Sequence, residues 1–257
     1  MKISVLTPSY NSALFLEKAI QSVLEQEDHD FEHIIMDAGS KDGTLEVLKK
    51  YQHLKWESRK DKGQSDAMNK AFKRSDGEII VYLNADDYFL PGAFQIIRNC
   101  FNEHLDIQMV VGNLYIIDEK GLSRPSINVT TKYDDLKIIN KRFPLNPVSY
   151  FYKRELQLAI GDFPVNEHYT MDYWFLLRAF HKFKVLQIED FLGCFVFSLE
   201  NKTALIDSFN RQRSLSLKYQ FWNDPKSFFS SAKKLYAHKR SNSLIKKFYF
   251  KIKGNKV

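Results

Sequence analysis

Short apolar runs alternate with helically spaced segments through the first hundred residues, and this alternation limits the fold more than any other feature of the sequence. The apolar runs predict strands at residues 3–7, 33–37, 54–57 and 78–83. Apolar residues three and four positions apart predict helices at 11–26, 41–51 and 65–74, and Pro91 favours the start of a fourth. Such alternation is typical of right-handed βαβ units, so we expect a parallel sheet with helices on both faces.

From residue 107 onward the pattern becomes mixed. Strands are predicted at 109–117, 148–152, 185–189 and 193–197, and a helix at 171–183. We expect these elements to extend the same sheet, which gives an α/β fold with a mixed, mainly parallel sheet flanked by helices. The chain then divides into a main domain at 1–200, with halves at 1–110 and 111–200, and a helical C-terminal extension at 201–257.

The net charge of +7 is concentrated at the C-terminus. Residues 233–257 contain nine Lys or Arg and no acid, and subtracting nine from +7 leaves about −2 for the rest of the chain. A nearly neutral body argues against a nucleic-acid-binding protein, which usually has a basic face on its folded domain. No apolar run approaches the roughly 18 to 20 residues that span a bilayer, and the two cysteines lie far apart, so we expect a cytoplasmic protein.

Polar residues follow three of the predicted strands at their carboxyl ends. The first strand runs into TPSYN at 7–11, the second ends in DAGS at 37–40, and the fourth ends in NADD at 84–87. In an open parallel sheet such ends lie along one edge, where ligands bind. The convergence of three loops therefore predicts a ligand site at this edge.

Each of these loops also has a purely structural interpretation. Tyr10 could stack on a planar base or simply pack, and Asp37 could accept a hydrogen bond from a base or cap the next turn. Asp86 and Asp87 could cap the helix near Pro91, since carboxylates suit a helix N-terminus. Two adjacent carboxylates at a strand end are better explained by a hard divalent cation, which takes oxygen ligands and often bridges substrate phosphates.

Several enzyme classes are excluded by their missing motifs. The chain has no GxGxxG after the first strand and no GxxxxGK[ST], which argues against a dinucleotide dehydrogenase and a P-loop nucleotidase. It contains neither HExxH nor GxSxG. The stretch DAGSKDGT is similar to an aspartyl-phosphate motif, but Ser40 stands where the nucleophilic acid would be required.

Four blocks in this order resemble the inverting GT-A glycosyltransferases of family 2: SVLTPSYN at 4–11, IIMDAGSKDGT at 34–44, DKGQSDAMNKAF at 61–72 and LNADD at 83–87. Their spacing resembles the bacterial members that build O-antigen, capsule and other surface polysaccharides. The resemblance implies a GT-A fold and transfer of a sugar from a nucleotide-diphosphate donor, with UDP as the expected nucleotide.

The resemblance also assigns the donor site. It implies that Thr7, Pro8, Tyr10 and Asp37 hold the nucleoside base and that Asp66 lies close to the same nucleotide.

LNADD resembles the family's DxD-like metal motif. Asp86 would approach the ribose or the donor sugar, and Asp87 would bind Mg²⁺ or Mn²⁺ against the diphosphate, with Asp86 as a further candidate metal ligand. The first acid of a strict DxD is Asn84 here, a departure that leaves both carboxylates in place.

HYTMDYWFLLRAF at 168–180 resembles the block in which the family carries its general base, with Asp172 at the acid position. An inverting transfer needs such a base for the acceptor hydroxyl. The alternative is that Asp172 only stabilises the N-terminus of a helix. Four further candidates for contacts with the donor sugar or the acceptor, each of which could instead be structural, are Asn113, His168, Trp174 and Arg178.

No QxxRW motif and no membrane span follow Asp172, so we expect one sugar to be added to each acceptor. In the basic tail, Leu244, Ile245, Phe248 and Ile252 share one helical face, which predicts contact with an anionic membrane and fits a polyprenyl-linked glycan acceptor. The same face could instead pack on the protein itself. Two other functions stay open: a sugar nucleotidyltransferase, and a catalytically degenerate nucleotide-sugar-binding subunit.

Overall fold

The computed structural model describes residues 1–128, 132–137, 146–167, 170–197 and 207–238. In the first half, strands alternate with helices as the sequence predicts. The strands are β1 (Ile3–Ser9), β2 (Phe31–Asp37), β3 (Lys55–Ser58), β4 (Ile79–Tyr82) and β5 (Tyr88–Phe89). The helices are α1 (Leu16–Leu24), α2 (Thr44–Lys49), α3 (Gln64–Arg74) and α4 (Ala93–Glu103).

The second half is mixed. Its strands are β6 (Met109–Ile117), β7 (Ser123–Ser126), β8 (Tyr150–Lys153) and β9 (Val185–Val196). Its helices are α5 (Tyr133–Lys137), α6 (Arg154–Ile160), α7 (Met171–Lys182), α8 (Asp207–Asn223) and α9 (Pro225–His238), and a short 3-10 helix covers Pro147–Ser149.

All the described strands belong to one sheet, in the order β3-β2-β1-β4-β8-β6-β9-β5, with β7 paired to β6. β1 lies between β2 and β4 and is parallel to both, and β2 is parallel to β3. β8 is antiparallel to its neighbours, whereas β6 and β9 form a long parallel pair. The predicted mixed, mainly parallel sheet is confirmed.

Helices cover both faces of this sheet because each strand buries side chains on its two sides. On one face, α3 and α7 pack on the strands through residues such as Met68 and Leu176. On the other face, α1 and α4 pack through Val23 and Phe94. The loops of interest follow the carboxyl ends of β1, β2 and β4.

The structure differs from the predicted elements at several boundaries. α1 begins at Leu16 rather than near Asn11, because the preceding residues bind the neighbouring loop instead of capping the helix. α4 begins at Ala93 after Gly92, whose φ of 78° ends the turn that follows Pro91. The two predicted strands at 185–189 and 193–197 are one strand, β9, with an irregular register opposite β6. β5, β7, α5 and α6 were not predicted, since they are too short to show a period.

After β9 the described chain continues in α8 and α9, which agrees with the helical C-terminal extension predicted from the sequence. α8 packs on α7 through Tyr219, which forms a hydrogen bond with His181 (2.8 Å). Within the described part of the chain, no helix combines the length and apolar character that a membrane crossing requires. The predicted amphipathic tail, 244–252, lies outside the described residues.

Candidate active site

The three loops predicted to meet do lie at one edge of the sheet. Ser9 pairs with Asp37 and Asp37 with Ser58, so the ends of β1, β2 and β3 are level. Beyond the paired residues, the Leu83 N–H donates to the Leu6 carbonyl (3.0 Å), which brings the end of β4 beside β1. Parallel pairing therefore positions these loops as neighbours.

The Asp37 carboxylate is buried and shapes the turn after β2. It accepts hydrogen bonds from the backbone N–H groups of Gly39 (3.0 Å) and Ser40 (2.9 Å) and from the hydroxyls of Ser58 (2.5 Å) and Ser40. Four donors take up most of the acceptor positions that a carboxylate offers. The predicted contact between Asp37 and a base stays a prediction, and in this structure the carboxylate holds the turn after β2.

The loop after β1 is fastened to the loop after β2. Asn11 has a φ of 48°, an uncommon conformation for a residue other than glycine. Its N–H donates to Ser40 Oγ (2.7 Å), and its side-chain oxygen accepts from the Lys41 N–H (3.0 Å). Tyr10, next to it, is 64% exposed, which leaves its ring accessible to a planar ligand.

The other predicted base contacts have different surroundings. Thr7 is fully buried, and its hydroxyl lies 2.9 Å from His33 Nε2. Pro8 is half-buried within β1. Asp66, in the first turn of α3, pairs with Lys70 (2.8 Å), and this hydrogen bond lowers the pKa of the carboxyl. The roles of Thr7, Pro8 and Asp66 toward a nucleotide stay predictions.

The two adjacent carboxylates after β4 differ in their surroundings. Asp87 is buried, and its Oδ2 accepts from Asn84 Nδ2 (2.8 Å) and Asn146 Nδ2 (2.7 Å) while its Oδ1 accepts from the Val196 N–H (3.0 Å). Asp86 is only half-buried. Burial, together with the charge of Asp86, raises the pKa of Asp87 to about 8, and burial also raises the pKa of Asp86.

These carboxylates fit a cation that is shared with a substrate. A buried pair of like charges calls for a positive partner, and Mg²⁺ is commonly held by one or two carboxylates plus substrate phosphates. Among the described residues, no group of three or more His, Cys, Asp or Glu side chains could hold a metal by itself. A cation at Asp86 and Asp87 could take oxygens of a bound diphosphate among its further ligands.

Helix α3 connects the NADD turn to the predicted general base. Gln64 Nε2, at the start of α3, donates to Asn84 Oδ1 (3.0 Å). The next residue, Ser65, contacts Met171 Sδ through its hydroxyl (2.9 Å). Met171 precedes Asp172 in the first turn of α7. The N-terminal ends of two helices thus meet beside the carboxylates.

Asp172 is half-buried at this junction. Burial and the charge of Asp172 raise the pKa of Tyr150, in β8, well above its ordinary value, so the carboxylate lies near that ring. A carboxylate in the first turn of a helix is stabilised as an anion by the helix dipole. An ionised carboxylate is the form that can accept a proton.

The side chains of the remaining candidate residues are bound by other groups of the protein. The Arg178 guanidinium lies between the rings of Trp174 (3.9 Å) and Tyr219 (4.7 Å). Asn113 uses both ends of its amide on backbone groups, those of Glu189 (2.7 Å) and Asn128 (2.9 Å), where β6 and β9 change register. These contacts favour structural roles, and roles in substrate binding stay predictions. His168 lies outside the described residues.

Sequence reasoning missed Gln64 and Asn146 as parts of this site. Gln64 stands within the GQSDA block, but the resemblance singled out Asp66 in that block rather than Gln64. Asn146 precedes Pro147 and caps the 3-10 helix, accepting from the Val148 N–H (2.9 Å). An Asn-Pro pair predicts a turn, but it carries no signal for contact with a residue 59 positions away.

Comparisons with known proteins agree with this architecture. The chain is 32% identical over 129 residues to a GalNAc(5)-diNAcBac-PP-undecaprenol beta-1,3-glucosyltransferase of Campylobacter jejuni, an alignment covering 48% of this chain and 41% of that protein. The chain thus spans less than half the length of this relative.

Two solved structures share the fold. S. aureus TarS 1–349 in complex with UDP-GlcNAc superposes with a TM-score of 0.72 at 20% identity, covering 90% of this chain and 70% of TarS. The mannosyltransferase PcManGT of Pyrobaculum calidifontis, solved with GDP-Man and Mn²⁺, gives a TM-score of 0.59 at 17% identity, covering 94% and 76%. The Glycosyl transferase family 2 model matches residues 4–208, which is most of the chain. The protein is therefore a member of glycosyl transferase family 2.

Proposed function

We propose that this protein is a non-processive, inverting glycosyltransferase. It would move one sugar from a nucleotide-diphosphate donor, with UDP as the expected nucleotide, to a hydroxyl of a lipid-linked surface-glycan precursor. The observation that carries the proposal is the meeting of three loops, TPSYN, DAGS and NADD, with the start of α3 at one sheet edge. Family membership supports the reaction class.

Asp172 is proposed as the general base. It stands in the first turn of α7, beside the start of α3 and hence beside the NADD turn. A carboxylate there can take the proton of an acceptor hydroxyl while the oxygen attacks the sugar from the side opposite the leaving diphosphate. The attack forms the new glycosidic bond, breaks the bond to the diphosphate and inverts the anomeric carbon.

Asp86 is the carboxylate better placed to face a divalent cation. Asp87 already accepts three hydrogen bonds from the protein, whereas Asp86 is half-buried and therefore partly accessible to a ligand. When bound, such a cation would offset the negative charge that develops on the leaving diphosphate. The fold of PcManGT, solved with Mn²⁺, supports a cation at a site of this kind.

The acceptor and the place of action follow from weaker observations. The Campylobacter relative is named for a polyprenyl-linked substrate, which supports a lipid-linked acceptor here. The basic tail at 233–257 has a net charge suited to the anionic inner face of the cytoplasmic membrane. We therefore propose a cytoplasmic enzyme that attaches peripherally through this tail.

Thermal unfolding with nucleoside diphosphates tests the donor site. A ligand that binds only the folded state at a hundred times its Kd stabilises that state by about 2.7 kcal/mol, which corresponds to a rise in Tm of roughly 5–10 °C. We expect one of UDP, GDP, CDP and dTDP to give this rise with Mn²⁺, and Asp86→Asn to lose most of it. Asp162→Asn is the matched control, because Asp162 makes an exposed ion pair with Lys73 (2.7 Å).

Product analysis separates the proposal from its rivals. With donor and acceptor, this enzyme releases a free nucleoside diphosphate and a β-linked product from an α-linked donor. A nucleotidyltransferase would release pyrophosphate, and a degenerate subunit would bind the donor without turnover. Either result, or a product that retains the donor's anomeric configuration, would contradict the proposal.

A further inference from the structure

The Asp87 carboxylate joins three separate parts of the chain. Asn84 donates from the same turn, Asn146 donates from the start of the 3-10 helix, and the Val196 N–H donates from the end of β9. All three hydrogen bonds measure between 2.7 and 3.0 Å, and both carboxylate oxygens take part. The first half (1–110) and the second half (111–200) of the predicted main domain are thus connected at one buried carboxyl group.

Asn146 is built for this contact. It is 3% exposed, its Oδ1 accepts from the Val148 N–H (2.9 Å), and its Nδ2 donates to Asp87 (2.7 Å). The orientation of the amide is fixed by chemistry, because only the oxygen can accept from an N–H and only the nitrogen can donate to a carboxylate.

Asn84 also holds Asp87, through its side-chain amide. Its amide accepts from Gln64 (3.0 Å) and donates to Asp87 (2.8 Å) at the same time. An aspartate at this position could not donate to Asp87 and would place a third carboxylate beside two others. The departure from a strict DxD therefore keeps the turn together without extra negative charge.

We propose that Asn146 is a positioning residue for the cation site. By holding Asp87 together with Asn84, it fixes the turn from Asn84 to Asp87 and so aims the Asp86 carboxylate at the cation and the diphosphate. Asp87 serves as the anchor of the turn, and Asn146 acts through it without touching the donor. This inference rests on the proposed donor site and adds a residue from the second half of the domain to it.

Two variants separate positioning from general stability. Asn146→Ser keeps an oxygen that can cap the 3-10 helix but is too short to reach Asp87, whereas Asn146→Ala loses both contacts. The matched control is Asn69→Ala, which removes another buried amide that binds the Phe163 backbone twice (2.9 and 2.8 Å). All three variants are compared with the full wild-type chain.

The readout is the Kd of UDP by calorimetry, with Mn²⁺ and with EDTA, or of whichever of the four diphosphates the thermal panel selects. We expect both Asn146 variants to weaken binding with Mn²⁺ at least fivefold and to change binding in EDTA less than twofold. Asn69→Ala should lower the Tm but leave both Kd values within twofold. The KM for the donor should rise more than kcat falls in Asn146→Ser.

Two results would overturn the inference in different ways. If wild type binds the diphosphate with Mn²⁺ and Asn146→Ser binds it equally well, Asn146 has no positioning role although the proposed function stands. If wild type binds none of the four diphosphates, the proposed function fails and this inference fails with it. Should Asn146→Ala not fold, the Ser variant alone decides, because it keeps the cap.

Discussion

Two neighbouring aspartates after β4 illustrate how position, rather than residue type, sets a role. Asp87 points into the protein and is held by three donors, while Asp86 is half-buried at the open edge. Both residues belong to a turn in which the Asp87 N–H donates to the Asn84 carbonyl (3.1 Å), so adjacent side chains there meet different surroundings. The sequence predicted a cation site from the pair. The contacts favour different roles for the two residues, with Asp87 as the anchor of the turn and Asp86 as the carboxylate that faces the cation.

The role of Asp172 can be tested by one substitution. Asp172→Asn keeps the size of the side chain and removes the base, so we expect kcat to fall roughly 10²- to 10⁴-fold with little change in the Kd for the donor diphosphate. The measurement is steady-state turnover, paired with a thermal scan to verify folding. Asp118→Asn, in the turn between β6 and β7, is the control. Near-normal turnover in folded Asp172→Asn would mean that another group takes the proton.

His33 should make the protein sensitive to acid. Burial lowers the pKa of His33 from 6.5 to about 3, because the imidazolium would lose its hydration. Between these two values the unfolded chain binds a proton at this residue and the native chain does not. Stability therefore falls as the pH drops through this window, by roughly 1.4 kcal/mol per pH unit for this one group.

The measurement is the free energy of urea unfolding at pH 6.5 and pH 5.0. We expect the loss between these pH values to be smaller in His33→Gln, by about 1–2 kcal/mol, because glutamine can still form a hydrogen bond with Thr7 but does not titrate. The exposed His29→Gln is the control and should lose as much as wild type. An unchanged loss in His33→Gln would exclude His33 as the cause.

At the scale of elements, Arg178 joins α7 to α8. Its guanidinium stacks between Trp174 on its own helix and Tyr219 on the next, and it donates to the Trp174 carbonyl (2.9 Å). We expect Arg178→Ala to destabilise the protein by roughly 1–2 kcal/mol, or about 3–6 °C in Tm. The exposed Lys182→Ala on the same helix should leave the Tm unchanged.

The same pair of variants tests the predicted acceptor contact of Arg178. If the residue binds the acceptor, Arg178→Ala raises the KM for the acceptor while the Tm stays within 1 °C or so of wild type. If it fastens α8 to α7, the Tm falls and the KM changes little. The stacking geometry favours the second result.

Helices and strands were predicted correctly where the element is long enough to show its hydrophobic period. α3 and α7 bury one stripe each and were found within one residue of the predicted ends. The short strands β5 and β7 have too few residues to show an alternation, so only their pairing with β9 and β6 defines them. The start of α1 was misplaced because Asn11 binds the loop after β2 and the Ser12 N–H donates to Thr44, the first residue of α2, although both residues are good helix caps.

At the scale of the whole molecule, one sheet carries both the donor loops and the predicted acceptor side. We expect a single sugar to be added when excess donor is supplied to a polyprenyl-diphosphate-linked glycan, since no QxxRW motif follows Asp172. Mass spectrometry of the product measures the number of sugars. A ladder of products, each one sugar longer than the last, would contradict non-processive transfer.

The sequence alone determined which residues end the strands. Strand–helix alternation favours a parallel sheet, and a parallel sheet brings TPSYN, DAGS and NADD to one edge, so the location of the candidate site followed from chain order. The four family blocks could also be recognised in the sequence, because each consists of contiguous residues. Both are local properties, which a sequence carries without knowledge of the fold.

Only the tertiary structure decided what each side chain at that edge is free to do. Asp37 and Asp87 differ from Asp86 because donors from other segments already bind them, and Asn146 lies 59 residues from the carboxylate that it holds. Such contacts depend on where the second half of the chain packs on the first. A hydrogen bond between distant segments has no period and no spacing, so no local pattern in the sequence predicts it.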